Sequence, residues 1–157
     1  MIVSKLKIFL ISGLIIYNIS GCKPEEQHPI PDVYVNFLIN IRTEPDFFFL
    51  QAQGTSVIIT SSSIGALSLG YNDNGVIIYN SGTDEFYAFD RTCPHDFPES
   101  IIVETDGVSG LATCPQCGSV FILPSIGLPD LDSPSRWPLK AYHAVYNPNT
   151  GDLMVTN

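Results

Sequence analysis

Two short stretches, RTCPHD and CPQCGSVF, put four soft metal-ligand side chains into one small region of the chain. Cys93 and His95 stand either side of Pro94, and Cys114 and Cys117 stand either side of Pro115 and Gln116. Each group follows an apolar, strand-like run: EFYAFD before the first and SGLAT before the second. Between them, IIVET (101–105) and SGLAT (109–113) flank Asp106–Gly107, a dipeptide suited to a tight hairpin turn. A hairpin brings its own ends together, so the spacing predicts two facing loops with two ligands each. That arrangement restricts the fold to one in which strands deliver both loops to the same edge.

The rest of the chain reads the same way. Val33, Val35, Phe37, Ile39 and Ile41 alternate with Tyr34, Asn36, Leu38 and Asn40, the period of a half-buried strand. VIIT (57–60), GVIIYN (75–80), EFYAFD (85–90) and SVFIL (119–123) are further strand candidates. SGTD joins two of them as a hairpin, and LKAYHAVY, NPNTG and DLMVTN form a closing one. No segment after the leader keeps a helical period for three turns, and twelve prolines with twelve glycines suit short strands and tight connections. The expectation is one all-β domain over 33–157, without internal repeats.

The start of the chain is of another kind. Lys5 and Lys7 precede IFLISGLII, an apolar run too short to span a bilayer, and Ile19-Ser20-Gly21-Cys22 follows. This order resembles the lipobox of bacterial lipoproteins. The resemblance implies a signal peptide over 1–21, cleavage before Cys22 and lipidation of its thiol, with an ordinary secretory signal as the alternative. Residues 22–32, polar and with three prolines, read as a stiff tether in which His28 is solvated. The expected location is the bacterial cell envelope, periplasm-facing or at the cell surface and on the outer membrane, held by a lipid rather than a spanning helix. After Cys22 there are sixteen acidic against five basic residues, a net charge near −11. Such a surface disfavours nucleic acid and anionic membrane as partners.

With Cys22 lipidated, Cys93, Cys114 and Cys117 remain, an odd number that cannot pair fully within the chain. FYAFDRTCPH, a hairpin, CPQCGSVFIL, a Pro-rich loop and PLKAYHAVYNPNTGDLMV together resemble the Rieske domain, over about residues 70–157. That family clasps a 2Fe-2S cluster between a C-x-H loop and a C-x-x-H loop, on a domain of small antiparallel sheets. The resemblance matches Cys93 and His95 to the first loop, Cys114 to the start of the second, and Gly118-Ser119 to the residues after it. It implies that segment 124–138 shields the cluster. Cys117 stands where the family has His.

Three occupants of the site follow. The first is a 2Fe-2S cluster on Cys93, His95, Cys114 and Cys117. Three thiolates then leave the oxidised core at −1, and its potential is expected at roughly −300 to 0 mV, between Rieske and all-Cys clusters. The second is a single Zn or Fe in the same four ligands, since C-P-x-C-G is also a metal-knuckle turn. The third is a metal-free fold stapled by a 114–117 disulfide. The first implies a one-electron carrier with a redox partner protein, or a subunit of a larger oxidoreductase, rather than an enzyme in itself. The second and third imply a structural or binding lipoprotein. Among other residues, Asp96 is read as an exposed loop acid or as a support for the His95 imidazole. His143 is read as a strand histidine, and Phe47 to Leu50 as core with a partial docking patch.

Overall fold

The computed structural model describes residues 27–157; the leader and Cys22 lie outside the described residues. Asn36–Asn40 forms β1, with Phe37 and Ile39 buried and Asn36 and Leu38 exposed. Val35 and Ile41 continue the buried row on either side, as the alternation requires. β2 is Ser56–Ile59, β3 is Val76–Gly82 and β4 is Glu85–Asp90. β3 and β4 form the expected hairpin, with a bulge between Asn80 and Gly82. Ala141–Asn147 (β8) and Asp152–Thr156 (β9) form the closing one. Three short strands lie between: β5 Leu111–Thr113, β6 Val120–Ile122 and β7 Leu128–Pro129.

The pairing is antiparallel throughout these strands. One sheet runs β1-β9-β8-β4-β3-β2 and a smaller one runs β5-β6-β7. Phe37 and Ile39 of β1 share a core with Ile59 of β2, although these strands are the two edges of the larger sheet. The sheet therefore curls over its own apolar face. Its two halves join where β4 pairs β8, Ala88 opposite Tyr142 and Phe89 opposite Ala141, with the Asp90 N–H on the Lys140 carbonyl beyond them. The fold is all-β: among the described residues the one α-helix is a single capped turn, Ser61–Ile64. No described helix is long and apolar enough to cross a membrane.

The unbroken run VIIY in β3 is explained by burial on both faces. Val76 and Ile78 enter the first core with Phe37, Ile39, Leu153 and Val155. Ile77 and Tyr79 enter a second core with Phe89, Phe121, Leu123 and Leu139. This second core fills the space between the large sheet and the small one. Cys93 and Cys114 belong to it, and Cys117 packs on its margin. Gly127 closes the same region: its φ is +67°, and a Cβ there would meet the Phe89 ring at 3.0 Å and Leu139 at 3.1 Å. Phe89 is fully buried at the centre of the contact. Phe89→Ala is expected to destabilise the protein by about 3–5 kcal/mol, read as a lower denaturant midpoint.

Two segments differ from the sequence reading. Residues 101–105 make no continuous strand, because their partners are divided. Ile102 bridges Thr92, whereas Glu104 bridges Thr113. The Asp106 carboxylate accepts the backbone N–H groups of Val108 and Ser109 at 2.9 and 2.8 Å, so the connection is a wider Asx-stabilised loop rather than a two-residue turn. Nor is His28 solvated. Its Nε2 lies 3.0 Å from the Pro138 carbonyl, and its ring meets Trp137 edge-on at 5.7 Å. Ile30 is fully buried, and Asp32 pairs with Lys140. Residues 28–32 thus lie on the segment 137–140.

Candidate metal centre

The first loop leaves the end of β4. The buried Asp90 carboxylate accepts the Tyr71 N–H and the Tyr142 hydroxyl, each at 2.6 Å, and the Thr92 N–H at 2.8 Å. These bonds fix the chain direction as it enters Cys93. The Cys93 N–H then bonds the Ile101 carbonyl at 2.7 Å, and the Glu99 N–H bonds the Asp96 carbonyl at 2.8 Å. Between these anchors, the backbone N–H groups of Asp96 and His95 point at the Cys93 sulfur.

The second loop joins β5 to β6 and is built alike. The Cys114 N–H bonds the Ser119 carbonyl at 2.8 Å, and the Gly118 N–H bonds the Cys114 carbonyl at 3.0 Å. Gly118 has φ +76° with open space around its Cα, so glycine is favoured here by backbone conformation and not by crowding. The N–H groups of Cys117 and Gln116 point at the Cys114 sulfur. The buried Ser119 hydroxyl lies 3.1 Å from the Cys117 sulfur and accepts the Ser135 N–H at 3.0 Å. Segment 128–135 is thereby held beside this loop, with Asp130 N–H on the Val120 carbonyl and Ser133 bonded to Val120 as well.

The two loops bring together Cys93, Cys114 and Cys117, together with Asp96. One donor atom from each lies within 4.8 Å of all the others. The Cys93 and Cys117 sulfurs are 3.7 Å apart. An ion about 2.3 Å from each of two sulfurs in a tetrahedron separates them by about 3.8 Å, so this edge fits a metal without rearrangement. All three cysteines are free thiols. The Cys114 thiol donates to the Asp96 carboxylate at 2.9 Å.

His95 is exposed, and its ring is not among the converging donors. Asp96 is half-buried and takes part directly, which the sequence reading did not give it. The signal was present: C-P-H-D and C-P-Q-C carry their converging groups at the first and fourth positions alike. His143 lies exposed on β8. Phe47 and Leu50 are buried, whereas Phe48 and Phe49 are about half exposed, at 45% and 49%.

Burial pushes the Cys93 thiol well above its ordinary range. Burial, followed by the bond to Asp96, pushes the Cys114 thiol up from 9.0 to about 11. Burial also raises the Asp96 carboxyl, but donation from the three thiols outweighs it and holds the group below its usual value. At neutral pH, then, the metal-free loops hold neutral Cys93 and Cys114 thiols beside a carboxylate. A metal must displace those protons. Apparent affinity is expected to fall about tenfold for each unit that the pH is lowered and each proton displaced, as measured by metal titration between pH 6 and 8. The sign for stability is the reverse of a carboxylate's. The contribution of the neutral Cys114 thiol to the metal-free fold is complete below pH 9.0 and lost as pH rises through about 11.

No protein-family profile matches the chain, and no curated protein matches it. Solved structures do show likeness. A chain from the complex of reduced oxygenase and oxidised ferredoxin in carbazole 1,9a-dioxygenase is 22% identical, with a TM-score of 0.43; the match covers 66% of this protein and 82% of that chain. A Mycobacterium tuberculosis protein described as an NADH-dependent nitrite reductase small subunit is 20% identical, with a TM-score of 0.42, over 80% of this protein and 97% of that chain. The ferredoxin of carbazole 1,9a-dioxygenase from Nocardioides aromaticivorans IC177 is 16% identical, with a TM-score of 0.42, over 79% and 97%. Likeness at this level assigns no family. On its own residues, the chain is an all-β protein whose two facing loops gather three thiols and a carboxylate.

Proposed function

We propose that the protein is a lipid-anchored, Rieske-like iron–sulfur carrier of single electrons in the bacterial cell envelope. The observation that carries this reading is the convergence of Cys93, Cys114 and Cys117 from two loops at the margin of the second core. When bound, a 2Fe-2S cluster would supply one-electron chemistry. The chain's own residues would hold and shield it. Cys93 and Cys114 are buried, so water reaches them poorly, whereas Cys117 is half-exposed and leaves one side open to a partner. Amide N–H groups aimed at the Cys93 and Cys114 sulfurs stabilise thiolate charge. Cys22, in this reading, bears the lipid, and a redox protein of the same compartment is the partner. The test is a reductive titration with fatty-acid labelling. One electron per chain should reversibly bleach the visible spectrum, and Cys22→Ser should abolish the label. A protein that takes up no electron is not a carrier, and a Cys22→Ser chain that is still labelled has no such anchor.

One observation favours a second reading. The four donors lie within 4.8 Å of one another, and the Cys93–Cys117 pair at 3.7 Å has the edge length of a single tetrahedral ion, which suits one zinc or iron holding the loops together. That protein would be a structural or binding lipoprotein.

A further inference from the structure

We propose that the fourth ligand of the centre is the Asp96 carboxylate and not the His95 imidazole. The inference rests on a metal occupying this site, but on neither nuclearity. Three features support it. First, the loops are built to one plan: C-P-x-D in one and C-P-x-C in the other, each turning its third and fourth amides onto its first sulfur. In that plan Asp96 occupies the place of Cys117, whereas His95 occupies the place of Gln116. Both third-position residues are exposed. Second, Asp96 reaches across to the other loop and lies 2.9 Å from the Cys114 sulfur. Third, the carboxylate belongs to the same compact group of donors as the three sulfurs, and the His95 ring does not. A carboxylate oxygen beside three thiolates is an acceptable set for zinc or iron.

The test uses cobalt(II) alone, titrated into full-length protein stripped of metal under reducing conditions. Asp96→Asn should weaken cobalt binding by about tenfold or more, while His95→Ala stays within about threefold of wild type. Asp96→Cys guards against a mere folding defect. It should bind cobalt and raise the thiolate-to-cobalt absorption by about one third, as three sulfurs become four. Pulsed electron paramagnetic resonance of the wild-type cobalt form should show no coupling to a coordinated imidazole nitrogen. The inference is overturned if Asp96→Asn binds like wild type, if His95→Ala loses the metal, or if nitrogen coupling appears. If wild-type protein binds no cobalt, the metal centre itself is wrong, and the functional proposal falls with it.

Discussion

Cys114→Ser should empty the centre, leaving less than about a tenth of the wild-type metal. Cys114 is 1% exposed, and its sulfur lies between the two loops, where the thiol donates to Asp96. Serine is shorter and a poor ligand for a soft ion, and its hydroxyl would stand in the second core. Because ligation would tie the 93–96 loop to the 114–117 loop, binding free energy would also be folding free energy. The variant should therefore melt near the temperature of chelator-treated wild type, with little further shift on adding chelator. Metal content by elemental analysis and melting with and without chelator provide the check. A variant holding more than about half the metal would place the centre elsewhere.

Asp96→His should raise the midpoint potential of the iron–sulfur form by about 100 mV or more. The shift follows from charge. An oxidised 2Fe-2S core carries +2, so three thiolates and a carboxylate leave −2, the same as four thiolates. All-Cys clusters of this kind lie near −400 mV, and Rieske centres with two imidazoles lie at about −150 to +300 mV. A wild-type centre with Asp96 as ligand is therefore expected near the lower value. Replacing the carboxylate by a neutral imidazole returns the core to −1, for which roughly −300 to 0 mV is expected. A dye-mediated redox titration of both proteins measures the difference. An unchanged midpoint would show that residue 96 does not touch the iron.

These two experiments turn on a distinction that the sequence only partly carried. The spacing of Cys93, Cys114 and Cys117 across one connecting segment was enough to predict that they meet. The fourth group was harder to read. C-x-H is a familiar ligand spacing, and it drew attention to His95, one residue short of the carboxylate that converges. Whether position three or position four turns inward is a property of the folded loop and not of the spacing.

The strands follow the same division. β1 was legible because one face is buried and the other wet, so its residues alternate. β3 was legible as a strand, but its run VIIY did not reveal that it separates two cores. Residues 101–105 look like a strand in composition, yet their hydrogen bonds are shared between Thr92 and Thr113, a matter of tertiary placement. His28 and Ile30 sit among prolines and read as tether. Their contacts with Trp137, Pro138 and Lys140 come from the far end of the chain, where no local pattern could announce them.

Whether the two loops hold an iron–sulfur centre can be measured. The most direct measurement is iron, zinc and acid-labile sulfide analysis, with an absorption spectrum, on protein purified without added metal. A 2Fe-2S protein should show about two iron and two sulfide per chain and be coloured. A colourless protein with one zinc, or one with no metal and a disulfide between Cys114 and Cys117, would contradict an iron–sulfur centre.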